Sequence, residues 1–286
     1  MRSVRFSKQF SLLLQEAHLA KNSILSGFDL LLRAEFGADK DGYFYSAFFH
    51  LSIGIERILK LAVVVDYMIK HDLKAPTKSQ LRTYGHDIAG LFATCNGLRK
   101  VYRPSATQKD AVDVDEQIVE FLSRFAVSSR YFNLDEISSS DASSASKSPL
   151  YEWWNICAAL YDEFTPWSVR EKQSLQLMYS MDRQRIPNGF TGELDATGHP
   201  MTVFEQLYRR RIGKKSSHLA VWRMVELLRP VHFLLDDMGR LAHQKEAEKG
   251  ESLPLVPHFE DFFWFLLANR SDIMKRKSSW LRLFNS

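Results

Sequence analysis

The sequence predicts an all-α protein organised as a multi-helix bundle. Three observations lead there. Apolar residues recur at helical spacing over most of the chain, strand-type alternation is nearly absent, and Pro and Gly fall where such segments start or stop. At 286 residues, with 45% hydrophobic and 13% aromatic residues, the chain has ample material for a buried core, and its hydrophobicity excludes overall disorder.

Each element follows from local pattern. Ser7 to Glu35 is one long periodic segment, with a kink expected at Gly27. "GADKDGY" (37–43) is turn chemistry. Tyr43 to Lys70 is the strongest helix. Its apolar side carries Phe44, Phe48, Leu51, Ile55, Leu59 and Ala62, whereas Ser46, His50, Glu56, Arg57 and Lys60 fall within about 120° of one another, leaving one narrow wet stripe. Residues 74–80 form a loop with a helix start near its end. Residues 85–98 follow as a helix with Asp87 in its first turn, and Val114 to Phe132 as another.

Ser138 to Ser148 holds seven serines in eleven residues and reads as a connector. It divides an N-terminal bundle (1–137) from a C-terminal helical part (149–286), and the two are compatible with one shared core. Pro149 and Pro166 stand at helix starts. Residues 186–201 are the irregular piece and suit a hairpin. Val203 to Arg211 reads as a short helix, Ser216 to Glu248 as a long one kinked at Pro230, and Phe259 to Lys275 as an aromatic-rich closing helix. The aromatics Trp153, Trp154, Trp167, Phe262, Phe263 and Trp264 suit either core or interface.

Composition narrows the function classes. Two cysteines, Cys95 and Cys157, are too few for a disulfide framework and suit a reducing cytosol, so a cytoplasmic location is expected. The apolar segment 43–70 carries too many charges to span a bilayer, which needs about 20 nearly uncharged residues. No membrane association is expected. The nine histidines are scattered without ligand spacing, and no nucleophile elbow, P-loop or dinucleotide fingerprint is present. Neither a metal nor a cofactor is expected.

Two basic runs stand out. Arg209, Arg210, Arg211, Lys214 and Lys215 place five positive charges in seven residues, enough to neutralise phosphates, and are the candidate nucleic-acid contacts. A cation bias at a helix C-terminus explains the same run. "KRKSSWLR" (275–282) reads as a frayed C-terminus, with base stacking by Trp280 as the other option. The net charge of +4 permits a polyanion partner without requiring one.

The order of "YSAFFHLSIGIERILKLAVVVDYM", then "YGHDIAGLF", then a helix ending in "SRYFNLD" resembles the HEPN superfamily of helical bundles, over roughly residues 25–135. The resemblance implies an HEPN-like N-terminal part with additional C-terminal helices. It also implies an RNA-directed protein of a bacterial defence or toxin–antitoxin type, with a metal-independent endoribonuclease as the catalytic form. Partners would be RNA, a second copy, or a protein such as an antitoxin or complex subunit. Active members carry Arg, four to six residues, then His. Here no His follows Arg130 within that window, and Arg82 precedes His86 with three residues between.

On this basis the candidate catalytic residues are His86 as acid–base, Arg130 and Asn133 for phosphate contact, and Glu56 and Arg57 for positioning. Arg130 and Asn133, three apart, share a helix face and can together grip a phosphate; capping their own helix is the other reading. A buried polar stripe needs polar neighbours, so at least one of His86, Asp87, Arg130 and Asn133 is expected within reach of Glu56 or Arg57. The alternative function is a non-enzymatic helical interaction module, working as a homodimer or complex subunit.

Overall fold

Ser7 starts the first helix by accepting a hydrogen bond from the Phe10 amide at 3.0 Å, the ordinary N-cap arrangement. From that cap, α1 (Lys8–Arg33) runs without a break at Gly27 and lies along α2 (Asp41–Lys70). Two glycines set their separation. A Cβ on Gly27 would meet the Leu51 side chain at 2.6 Å, and one on Gly54 would meet the Ile24 amide nitrogen at 2.8 Å. The helices therefore approach more closely than alanines would allow, and Ile24, Phe28, Leu51 and Ile55 are buried between them.

The remaining elements of this computed structural model pack around that pair. They are α3 (Lys78–Arg82), α4 (Ile88–Tyr102), α5 (Asp113–Val127), α6 (Pro149–Phe164) and α7 (Trp167–Arg183). A two-stranded antiparallel hairpin follows, β1 (Phe190–Leu194) and β2 (Pro200–Thr202), and then α8 (Val203–Lys249), α9 (Glu260–Phe263), a 3-10 turn (Trp264–Leu267), α10 (Arg270–Lys275) and α11 (Trp280–Phe284). The structure describes residues 6–36, 41–105, 112–127, 132, 137–138, 148–194 and 199–284. It is all-α apart from the hairpin, and no described helix is long and apolar enough to cross a membrane. Most of the serine-rich segment, residues 139–147, lies outside the described residues.

Buried side chains from both halves form one continuous core. Phe48 of α2 is ringed by Phe121 of α5 at 4.7 Å and Trp153 of α6 at 5.1 Å, centroid to centroid, within the range of favourable aromatic pairs. Polar anchors tie distant elements together. Asp115 of α5, 3% exposed, accepts two bonds from Arg223 of α8: Nε at 2.8 Å, and Nη2 on the second oxygen. The Arg223 guanidinium also lies over the Trp222 ring, 4.7 Å from its centroid. Lys245 and Lys249 of α8 donate to the carbonyls of Ile69 and Asp72, both at 2.8 Å, where α2 ends in two left-handed residues, Asp72 and Leu73.

Three further sequence expectations change, besides the kink at Gly27. Residues 203–249 form one helix of 47 residues rather than two. The expected break at Gly213 does not occur. A Cβ there would fall 2.6 Å from the Phe36 ring, so glycine admits that ring against the helix, and Ser216 Oγ ties the helix to the Cys157 carbonyl at 2.8 Å. The closing segment is not one helix. Arg229 donates to the carbonyls of Leu266 and Ala268, at 2.9 and 2.8 Å, which takes those groups out of a helical ladder, and Asn269 caps a new helix. Up to residue 284 the closing segment is not frayed. Trp280 is fully buried against Phe28, centroids 5.2 Å apart, and Asp29 of α1 accepts from the amides of Trp280 and Leu281 at 2.7 and 3.1 Å.

The Asp115–Arg223 pair supplies a stability test. Arg223→Ala leaves a buried carboxylate without its partner and is expected to lower the urea unfolding free energy by about 3–5 kcal/mol. Asp115→Ala and Arg223→Ala together are expected to lose less than the two single variants, Asp115→Ala and Arg223→Ala, summed. A double variant as unstable as the sum of the two single ones would show the groups to be uncoupled.

Candidate functional site

α2 carries the polar stripe, and the fold sends its members in two directions. Glu56 and Lys60 lie one turn apart, with Lys60 Nζ 2.7 Å from Glu56 Oε1. The chain after α3 then passes across them. Gly85 adopts φ +50°, in the left-handed region that favours glycine, and its carbonyl accepts from Lys60 Nζ at 2.6 Å. That turn delivers His86, whose Nδ1 stands 3.1 Å from both carboxylate oxygens of Glu56. The contact expected from the stripe is therefore present for His86. Arg57 points elsewhere, to an ion pair with Glu16 of α1.

Burial differs sharply within the cluster. The Glu56 side chain is 13% exposed and that of His86 is 66% exposed. The carboxylate is a fixed base plate, and the imidazole stands on it in contact with solvent. A neutral imidazole donating from Nδ1 to Glu56 carries its lone pair on Nε2, where it can accept a proton.

Asp87, the next residue, is committed to structure. Its Oδ1 accepts from the Gly90 amide and from Ser123 Oγ, both at 3.0 Å, and caps α4. Gly90 allows the cap, because a Cβ there would lie 2.5 Å from Asp87 Oδ2. The cap locks the backbone beside His86. Arg130 and Asn133 lie outside the described residues. Of the five candidate catalytic residues, the fold thus brings together Glu56 and His86, with Lys60 as a third member.

The basic run is engaged within the chain. The Arg209 guanidinium lies over the Trp154 ring at 5.1 Å, Arg210 is 3.8 Å from Glu193, and Arg211 donates to the Gln173 carbonyl at 2.8 Å. Lys215 sits over the Tyr161 ring at 5.3 Å, and burial lowers its pKa. Lys214 is exposed. Four of these five cations therefore dock α6, α7 and the hairpin onto α8.

Further exposed apolar side chains lie on α7 and on β1. Trp167, Leu175, Met178, Tyr179, Phe190 and Leu194 are each 53% to 78% exposed, while Met181 alone on α7 is buried. Of these, only Trp167 stood among the aromatics marked from sequence. The signal for the others is the polarity of α7 itself, which has too few apolar positions for a buried stripe and still places Leu175 and Tyr179 one turn apart on one face. Trp153, Phe262 and Phe263 belong to the core.

The cysteines are not nucleophiles in this fold. Burial pushes the Cys95 thiol up to about 12, and Cys157, fully enclosed, higher still. Native protein is expected to resist an aromatic disulfide reagent at neutral pH, with both thiols titrating only after denaturation. Rapid modification of either thiol in the native state would contradict this burial. No family model, curated protein or solved structure matches the chain.

Proposed function

We propose that the chain is an HEPN-like, RNA-directed protein of a bacterial defence or toxin–antitoxin type, acting as a metal-independent endoribonuclease at the His86–Glu56–Lys60 cluster. One observation supports this above the rest: a solvent-facing imidazole is held at Nδ1 by a nearly buried carboxylate. General-base catalysis needs an orienting group on one ring nitrogen and a free lone pair on the other. In this reading His86 Nε2 takes the proton of a ribose 2′-hydroxyl. The 2′-oxygen attacks the adjacent phosphorus, and the 5′-oxygen leaves with a proton supplied by an acid or water. The products are a 2′,3′-cyclic phosphate and a 5′-hydroxyl. Glu56 stabilises the imidazolium as it forms, and Lys60 holds that carboxylate in place. Arg130 and Asn133 retain their proposed role on the phosphate.

Total RNA incubated with purified protein in EDTA tests the reading. Cleavage leaving cyclic-phosphate ends is expected, falling about 10²–10⁴-fold in His86→Ala and by less in Glu56→Gln. Absence of cleavage rejects the enzymatic reading, and cleavage unaffected by His86→Ala rejects the site.

A second reading, a non-enzymatic interaction module working as a homodimer or complex subunit, is favoured by the exposed apolar side chains of α7, with Leu175 and Tyr179 in one shallow groove. It accounts for an area that the catalytic reading leaves unused.

A further inference from the structure

We infer that the His86 cluster takes single-stranded RNA, and that the ring of His71, at the far end of the same face of α2, stacks on one of its unpaired bases. The inference rests on the catalytic reading of that cluster and names its substrate class. At 100° per residue, Glu56, Lys60, Tyr67 and His71 fall within about 60° of one another. His71 directly follows the last turn of α2, and its amide still donates to the Tyr67 carbonyl at 2.9 Å, so it continues this face.

The ring pair is a fixed platform. Tyr67 and His71 are stacked, with centroids 3.8 Å apart and planes 12° from parallel. Each ring is held by its own bond: His71 Nδ1 donates to the Tyr67 carbonyl at 2.8 Å, and Gln80 Nε2 donates to Tyr67 Oη at 3.0 Å. Tyr67 covers one face of the imidazole. His71 is exposed, which leaves the other face open to a further ring. Every nucleobase offers a π-face to such a ring. A duplex keeps its bases stacked within the helix, so only an unpaired base can reach it.

Charge connects the platform to His86. The chain between them is α3 and the turn after it, tied to α2 by Gln80 on Tyr67 and by the Gly85 carbonyl on Lys60. Gln80 turns inward. Lys78 and Arg82 each lie about 160° round α3 from it and turn outward; both are exposed, and neither has an ion-pair partner among the described residues. A strand laid from His86 to His71 crosses this outer side, where the two cations meet its phosphates. From Glu56 to His71 the helix rises on the order of 22 Å, room for several nucleotides.

Fluorescence anisotropy of the full chain in EDTA tests the inference. The probe is a labelled 2′-O-methyl RNA of about twelve nucleotides, which cannot be cut by its own 2′-oxygen, alone or annealed to its complement. The single strand is expected to bind at least about tenfold more tightly than the duplex. His71→Ala is expected to weaken strand binding about tenfold with unchanged circular dichroism, and His71→Trp to retain it. Lys78→Ala with Arg82→Ala is expected to lower the slope of log affinity against log salt by about 1.4, the loss of two phosphate contacts on a single strand. No strand binding by the wild type overturns the inference, as does a duplex bound equally well, or a His71→Ala variant with full strand affinity. Cleavage of the unmethylated strand, scored in parallel, separates the two ideas. Cleavage by a wild type whose binding ignores His71 removes the stacking site and keeps the catalytic reading. Strand binding that depends on His71, without cleavage, keeps the stacking site and removes catalysis.

Discussion

The close crossing of α1 and α2 is the contact on which the rest of the molecule depends. Gly27 and Gly54 remove the two methyl groups that would hold the helices apart. With the backbones so near, α2 buries Phe44, Phe48, Leu51, Ile55, Ile58, Leu59 and Ala62, and its polar stripe stays toward the surface, beside the exposed Tyr43 and Phe49. That stripe is then forced to choose partners. Arg57, on the α1 side, meets Glu16. Glu56 and Lys60, on the far side, meet the Gly85–His86 turn. The position of the candidate site follows from the helix crossing.

The second half is secured by single polar groups placed at helix ends. Lys245 and Lys249 satisfy carbonyls where α2 stops, Asp29 supplies the amide acceptor where α11 starts, and Glu246, itself buried, accepts from the amides of Leu255 and Val256 at 2.9 Å. Helix ends leave amides and carbonyls without internal partners, and a buried orphan costs about 1–3 kcal/mol. Each anchor removes such a penalty while fixing the register of elements up to about 250 positions apart. The apolar core supplies most of the stability, and these bonds decide which packing of the helices is adopted.

Local pattern carried much of this into the sequence. The apolar face of α2, the role of Asp87 at the start of α4, the proline starts of α6 and α7, and the hairpin are all readable from spacing and turn chemistry. What escaped depends on distant partners. Nothing near Gly213 announces that Phe36 will fill the space of a missing Cβ, so a run of arginines followed by glycine, lysines and serines reads as a helix end. Nothing near Trp280 announces Asp29. The Glu56–His86 contact was accessible because a lone polar stripe on an apolar helix demands a partner. The basic run misleads for the opposite reason: its charges look free until Trp154, Glu193, Gln173 and Tyr161 arrive from other elements.

α7 differs from every other long helix in how it is held. Most helical stability in proteins comes from packing of an apolar face, and the docked side of α7 offers one buried residue, Met181. Polar contacts do most of the tethering: Arg170 pairs with Asp162 and lies over Trp167, Arg211 reaches the Gln173 carbonyl, and Tyr161 meets the Gln173 side chain. Such contacts fix orientation but contribute little net free energy when half exposed. The apolar side chains that would stabilise the helix by burial point outward instead. Exposed apolar area contributes nothing through burial, which is worth about 25 cal/mol per Å² where it occurs, so α7 is held mainly by its tethers and by Met181. That face and the Glu56–His86 cluster draw on different elements, so substitutions at one leave the contacts of the other in place.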